Sequence, residues 1–525
     1  MSYYLDSKKL RKVWSKSFEE IQIVISVLSI VLNSVHQTNH SERYWSIVLT
    51  PWIRFIVENY NHYVLDPLND DKSKDFIQFN LAVNYEVLQS QLAETDFQSQ
   101  MALLLPFLNS NNIRDVHIKV HRKNKHKKYN LYFQIISIYN YIIKFVVPAR
   151  KIIFIDFILS PSLFFNIIFK LRLLPFLILR DEFIATKNVD LDFREDLFNK
   201  IKINKASSGL SSEFWKLLCV SMPLSYVEEF QEIVSYGSKV YGHPVRVILL
   251  RNIYSKDSSK IWVADALQRG SKLAISQHGG GYGLSEYDFN SYHEAGVADL
   301  FLSWYKSTKK NVIQVPSFKY IKSTNRSKKS YGLLVNCTWA KVFHHYGDSP
   351  IGEQVQKNTD DQIIFLNHLQ GKASENMRVR QSHDINNYEN IIKQYEKSGF
   401  QSLVENNIKF NHLILEAKIV VISCIGTVWL ETLMNNIPTV VFFDPLVCYF
   451  NPKVNNYIEK FKKFGIIHNS PKSAAQHINN IYPDIEKWWN DPELQSLRQE
   501  FCRDFGVTEK TWARKYIAPI NSILD

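Results

Sequence analysis

The stretch from Ala264 to Gly283, ADALQRGSKLAISQHGGGYG, ends in residues whose types suit chemistry: Gln277, His278, three glycines (Gly279, Gly280, Gly281), Tyr282 and Gly283. It reads as a polar helix, a glycine break, a short apolar strand and a glycine loop at the carboxyl end of that strand. Glycines admit positive φ and close backbone approach. Their amides can cradle an anion, and His278 can bind that anion or act as an acid or base. The carboxylates Glu286, Asp288 and Glu294 follow, the last beside His293. The spacing matches neither a P-loop, for no Gly-Lys-Ser/Thr follows the triplet, nor the dinucleotide fingerprint. The bland alternative is a tight turn with a satisfied histidine.

A second constellation lies in Glu416 to Pro445, EAKIVVISCIGTVWLETLMNNIPTVVFFDP. A strand delivers Ser423 to a loop, Gly426 and Thr427 open a helix whose free amides can hold phosphate, and Glu431 sits one turn in, where a carboxylate can accept both hydroxyls of a ribose. The structural alternative makes Ser423 and Thr427 ordinary helix N-caps. A third is the short strand ending Arg378-Val379-Arg380-Gln381-Ser382-His383-Asp384. At period two, Arg378 and Arg380 share a face and can reach one phosphate or carboxylate; two solvated arginines on an edge strand are an equal reading. The pair His344 and His345 lacks metal-ligand spacing, so no metal site is expected, and there is no nucleophile elbow.

These segments need elements to hold them. Glu19 to Val35 and Ser41 to Tyr63 carry apolar faces at helical spacing, with Pro51 expected to kink or restart the second. Phe76 to Gln89 and Phe97 to Leu108 also read as helical, and Asn130 to Phe145 as helix or strand. Lys151 to Leu159, with Asp156 inside, His243 to Leu250, Leu273 to Ser276 and Asp299 to Trp304 read as strands. Helices are expected at Ser160 to Leu174, Ser211 to Leu218, Tyr226 to Tyr236 and Lys260 to Arg269. After a polar, basic linker at Pro316 to Ser330, strands are expected at Tyr331 to Val335, Asp361 to Leu366, Met377 to Arg380, Ile419 to Ile422 and Thr439 to Phe443, with a helix at Gly426 to Asn435 and a helical tail at Pro483 to Tyr516. Alternating strands and helices predict parallel sheets wrapped by helices.

The 525 residues are enough for two or three domains. A net charge of +12 suits nucleic acid, an anionic membrane or a phosphorylated substrate, although much of the lysine reads as solvated surface. The basic run His117 to Lys128 reads as an exposed loop with a chance of touching acidic lipid. Five scattered cysteines, with no disulfide framework, favour a reducing compartment. The start lacks the pattern of a secretory signal, and the apolar region Tyr129 to Arg180 is broken by charges before it reaches the ~20 residues of a membrane span. The expected location is cytoplasmic, with peripheral contact at the inner face of the plasma membrane as an option.

Together RYWSIVLTPWI, RGSKLAISQHGGGYG with the later HEAGVADLFLSW, and AKIVVISCIGTVWLETLMNNIPTVVF resemble the bacterial surface-carbohydrate transferases found with O-antigen, capsule and flagellin-glycan genes. These are similar to GT-B glycosyltransferases, and the subset with a QHGG-type loop resembles enzymes using CMP-activated nonulosonic acids such as pseudaminic or legionaminic acid, or Kdo. The resemblance implies a GT-B-like α/β fold of two Rossmann-like domains facing a central cleft, with extra N-terminal helices and a C-terminal capping helix. Residues 1–325 would be the acceptor side and 326–525 the nucleotide-sugar side. The implied activity is metal-independent transfer of a nonulosonic acid from its CMP ester to a surface glycan or flagellin, with no cofactor and no nucleic-acid partner. Ser423, Gly426, Thr427 and Glu431 fall on the donor nucleotide, with Arg378, Arg380 and His383 as ligands for its charged groups; where sialic-acid-type transferases show His-Pro, this chain has His383-Asp384. His278 and the loop Gln277, Gly279, Gly280, Gly281 and Tyr282 fall in the cleft. Glu294 takes the family's acidic position, with Glu286, Asp288 and Asp156 as alternatives for base or nucleophile. Rival readings are a glycerol- or ribitol-phosphate polymer transferase or UDP-sugar enzyme on the same scaffold, and a basic peripheral binding protein without activity.

Overall fold

The computed structural model describes residues 7–65, 78–82, 97–121, 131–146, 152–155, 169, 175–178, 183, 185–204, 209–242, 245–251, 256–318, 330–336, 353–381, 385–400, 403–404, 408, 410–444 and 449–524. Its elements run α1 (Ser7–His36), α2 (Glu42–Leu65), β1 (Gln78–Ala82), α3 (Phe97–Ser110), β2 (His117–His121), α4 (Leu131–Val146), β3 (Ile152–Ile155), β4 (Phe176–Ile178), α5 (Leu191–Asn204), α6 (Ser212–Ser221), α7 (Phe230–Tyr241), β5 (Val247–Leu250), α8 (Asp257–Gln268), β6 (Lys272–Ser276), α9 (Phe289–Val297) and β7 (Leu300–Ser303). There follow β8 (Val312–Gln314), β9 (Tyr331–Asn336), α10 (Glu353–Asn367), α11 (Gly371–Glu375), β10 (Met377–Gln381), α12 (Ile385–Lys397), α13 (Phe410–Glu416), β11 (Ala417–Ile422), α14 (Thr427–Met434), β12 (Thr439–Phe442), α15 (Asn455–Lys463), β13 (Ile467–His468), α16 (Pro471–Ile481), α17 (Ile485–Trp489), α18 (Pro492–Phe505) and α19 (Trp512–Leu524).

Several local readings change. The run Asp361 to Leu366 lies inside α10 and is no strand: Gln362, Phe365, Leu366 and Leu369 are buried at spacings of three and four, a helical stripe that a short apolar run conceals. Within Phe76 to Gln89 the described residues form β1, which pairs in parallel with β2, so His117 to His121 is strand rather than exposed loop. Asn130 to Phe145 resolves as α4. Helix α2 runs through Pro51 to Leu65 without restarting. Asp156, Arg122 to Lys128, His344, His345 and the core of the basic linker lie outside the described residues. Among the described residues one helix, Lys8–His36, is long and apolar enough to cross a membrane, and half of its apolar window is buried in protein.

By internal contacts the chain divides into two compact units. One holds Arg11–Ser276, His293–Phe301 and Ile517–Asp525, and the other Met1–Leu10, Gln277–Tyr292 and Leu302–Tyr516. In the N-terminal unit the strands run β4-β3-β5-β6-β7, with parallel registers from β4 through β6. Every residue of β3 and β5 is buried, the apolar run demanded of a parallel sheet covered on both faces. Helix α8 packs on α2 and α7, and its first turn buries Asp257 and Lys260, joined at 2.8 Å. The hydroxyls of Ser225 and Tyr226 donate to the same carboxylate at 2.6 and 2.7 Å, which satisfies it.

In the C-terminal unit the parallel strands are ordered β10-β9-β11-β12-β13. Alternate residues of β11 feed opposite cores: Val420 and Ile422 join Trp429, Leu433 and Phe501, while Ile419 and Val421 join Phe365, Val379 and Ala475. Two Rossmann-like α/β units with flanking helices are the GT-B-like fold class read from the sequence.

Burial leaves several histidines neutral. Desolvation pushes His36 down to about 4 against its hydrogen bond to the Tyr226 carbonyl, His293 to about 3 against its bond to the Ser46 carbonyl, and His477 to about 4, with His468 adding to the effect. Unfolded, each takes up a proton near its ordinary value of 6.5; folded, it does not until far lower pH. Their contribution to stability is therefore complete above pH 6.5 and is lost as pH falls toward 4. The unfolding free energy should be lower at pH 5 than at pH 7.5 by at most about 2 kcal/mol per histidine, read as a lower denaturant midpoint. Equal midpoints would contradict this account.

Candidate functional site

Counted within the C-terminal unit, the strand order is second, first, third, fourth, fifth, so the connections leave the sheet in opposite directions from β9 and β11. Ligands of open parallel sheets bind outside the carboxyl ends of the two strands at such a switch point. Here those ends deliver Asn336, 3 % exposed, and Ser423, fully buried.

From Ser423 the chain turns through Ile425 to Gly426, the extended N-cap of α14, which makes no side-chain cap. Neither Ser423 nor Thr427 is therefore an N-cap; the Ser423 hydroxyl lies against α10 instead. Helix α14 is anchored by Trp429, whose ring packs 5.2 Å from Phe501, and by Leu430 and Leu433. Its opening residues, Gly426 to Val428, stay partly exposed. That combination leaves free backbone amides at a fixed helix start, a ready anion site. Glu431 is 7 % exposed on the same helix.

The glycine loop belongs to this unit and packs on that helix start. The Gly280 amide donates to Thr427 Oγ1 at 3.0 Å. A Cβ on Gly280 would lie 2.7 Å from Thr427 Cα and 3.0 Å from the Gly426 carbonyl oxygen, so only glycine fits. Gln277 is fully buried and shapes the loop: its Oε1 accepts from the Trp304 amide at 2.6 Å and its Nε2 donates to the Gly279 carbonyl at 2.7 Å. The Gly281 carbonyl accepts from the amides of Leu284 and Ser285. Gly283 has φ +74° with its α-carbon face against the Tyr305 ring, and its amide donates to Asp288 Oδ2 at 2.6 Å. Asp288 also accepts from the Ser291 amide, so it ties the loop to α9 as a cap. The half-buried His278 faces Tyr282, whose hydroxyl lies 3.0 Å from Nδ1.

Other candidates are more scattered. Glu286 is partly exposed, its amide donating to the Tyr449 carbonyl. Glu294 is fully buried and groups with the N-terminal unit. Arg378 and Arg380 do share one face of β10, alternating with buried Met377, Val379 and Gln381; the Arg378 guanidinium sits 4.0 Å over the Tyr331 ring. His383 lies outside the described residues. Among the described residues no three His, Cys, Asp or Glu side chains stand together as a metal site.

The sequence reading missed the polar side chains of α10. Lys357 bridges Asp361 and Asp444, each at 3.1 Å, the latter just beyond β12. Burial opposes the Lys357 charge, but the two carboxylates outweigh it and raise its pKa, while burial raises that of Asp361. The available signal was Lys357 and Asp361 at helical i,i+4 spacing.

A doubly wound parallel sheet with a helix start and a glycine loop at its switch point, together with a second Rossmann-like unit, gives an α/β protein of the GT-B-like fold class. The chain belongs to the LIC12162 family of transferases, whose model matches residues 2–519. A search of curated proteins finds no match. Among solved structures it is similar to S. aureus MnaA in complex with UDP (10 % identity, covering 71 % of this chain and 97 % of that one, TM-score 0.39). It is also similar to the lipopolysaccharide outer core galactosyltransferase WaaB in its apo form (11 %, 71 % and 99 %, TM-score 0.35), and to UDP-GlcNAc 2-epimerase from Neisseria meningitidis bound to UDP-GlcNAc (10 %, 67 % and 97 %, TM-score 0.34). The CMP-nonulosonate donor expected from the motif resemblance is corrected by these findings: the nucleotide named in matched complexes is UDP or a UDP sugar.

Proposed function

We propose that this transferase is a glycosyltransferase that takes a sugar from a UDP donor and passes it to a hydroxyl of a glycan or protein acceptor. The observation that carries the reading is the Gly280–Thr427 contact, which sets the glycine loop's amides beside the free amides of α14 at the switch point. Two sets of amides side by side suit a diphosphate, the group on which charge develops as the glycosidic bond breaks. In this reading Gly426 and Thr427 hold the leaving phosphates and Glu431 accepts the ribose hydroxyls. Arg378 and Arg380 supply positive charge, and His278, oriented by Tyr282, serves as ligand or proton carrier at the reacting sugar. Apart from the glycine loop, which joins the donor site, residues 1–325 take the acceptor, with Glu294 or Glu286 as the base, and 326–525 take the donor. The place of action in this reading is the cytoplasm, with peripheral contact at the inner face of the plasma membrane as an option. UDP is the first donor to test because it is the nucleotide named in the matched complexes.

At about 100 times its Kd, UDP should add ~2.7 kcal/mol of stability to the full chain, a rise in Tm on the order of 5 °C. ADP should leave the Tm unchanged. A response to CDP-glycerol instead of UDP would move the donor to the polymer-transferase class, and no response to UDP would overturn the reading.

A further inference from the structure

A buried hydrogen-bond relay behind the switch point fixes the polarity of one side chain at the strand end. It starts at the Ser423 backbone carbonyl, which can only accept. Asn358 Nδ2 donates to that carbonyl at 2.6 Å. Asn358 must then present Oδ1, an acceptor, to Gln362, whose Nε2 donates to it at 2.7 Å. Gln362 is fully buried, so its amide cannot turn to water. With Nε2 on that side, its Oε1 faces Tyr395, whose hydroxyl donates to it at 2.6 Å. The second Nε2 proton is directed at Asn336 Oδ1, 2.9 Å away. The Ser423 hydroxyl, 3.1 Å from Gln362 Nε2, can turn its own proton to Asn358 Oδ1 at 3.3 Å.

Every amide in the chain is thus oriented by the one before it, and the last, Asn336, is left with Nδ2 turned away from Gln362. Asn336 is 3 % exposed, and among the described residues this Nδ2 has no hydrogen-bond partner. A buried donor without an acceptor carries a desolvation penalty, and it stands at the end of β9, one of the two strands that define the switch point.

We infer that Asn336 is a specificity-determining residue: its Nδ2 donates to an acceptor oxygen of the bound uridine nucleotide, and Asn358, Gln362 and Tyr395 are positioning residues that hold it as a donor. The inference rests on the proposed function. The acceptor belongs either to the uridine moiety or to a phosphate. In both cases the gain comes from satisfying a donor already buried and oriented, an arrangement that discriminates strongly against ligands lacking the acceptor.

The test is titration of UDP and of uridine into the full wild-type chain and into Asn336→Ala and Asn336→Asp, with the Tm of each unliganded protein as the fold control. Asn336→Ala leaves Gln362 Nε2 its two other acceptors and should retain the wild-type Tm within a few degrees, so it reads the site even if the buried charge of Asn336→Asp unfolds the unit. The expected result is a loss of UDP affinity of about tenfold in Asn336→Ala and a larger loss in Asn336→Asp, where a carboxylate faces the acceptor. A matching loss with uridine assigns the acceptor to the base or ribose; a loss with UDP alone assigns it to a phosphate. Wild-type affinity in Asn336→Ala overturns this inference while leaving the proposed function standing. Failure of the wild type to bind UDP overturns both.

Discussion

Gly280→Ala should weaken UDP binding by tenfold to a hundredfold while the chain remains folded. The added methyl meets backbone, with Thr427 Cα at 2.7 Å, the Gly426 oxygen at 3.0 Å and Thr427 N at 3.1 Å, and none of these is the free end of a side chain that can swing aside. Overpacking of this kind costs about 1–3 kcal/mol, and the cheaper response is for the loop to lift from the helix start, breaking the Gly280 hydrogen bond to Thr427. If both sets of amides hold the diphosphate, that displacement appears in affinity, at about 1.4 kcal/mol per factor of ten. Gly279→Ala is the matched control. Its methyl would find Thr427 Oγ1 and the Tyr282 ring no closer than 3.7 Å, an ordinary contact, so its affinity should stay near wild type.

The largest effect on stability should come from Glu228→Ala in the N-terminal unit. Arg194 is fully buried, and Glu228 meets it through both oxygens, at 2.7 Å to Nε and 2.9 Å to Nη2. Arg194 Nη1 also donates to the carbonyls of Cys219 and Val220 at the end of α6. Removing the carboxylate leaves a guanidinium out of water without its counter-charge, a loss of about 3–5 kcal/mol. Thermal unfolding should shift down by on the order of 10 °C. The exposed pair of Lys515 and Glu509, with the lysine side chain 65 % accessible, gives the contrast. Lys515→Ala should change stability by less than about 1 kcal/mol. Equal effects of the two substitutions would show that Arg194 finds other compensation.

Much of the scaffold was legible because its signals are local. Ile419 to Ile422 is a short apolar run closed by Ser423 and Gly426, and it forms most of β11; the segment opened by Gly426 and closed before Pro438 is α14. The failures have equally local causes. Ile363 to Leu366 is apolar enough to imitate a strand, and only the wider spacing of Gln362, Phe365 and Leu369 marks a helix. Gln362 falls inside that strand reading and Asn358 outside any expected element, yet on α10 the buried Gln362 and the half-buried Asn358 each find a partner. The most consequential contact is the least readable: Gly280 and Thr427 are 147 residues apart, and nothing in the spacing of either motif announces that one rests on the other. The misassigned donor has another origin. It rested on motif likeness alone and on no contact of a named side chain.

Calorimetric titration of UDP into the wild-type chain and Gly280→Ala tests the central claim most directly. Wild type should bind one UDP per chain, and Gly280→Ala should bind it at least tenfold more weakly at an unchanged unliganded Tm. Identical affinity in the two proteins would contradict the assignment of the glycine loop and the start of α14 to the donor diphosphate.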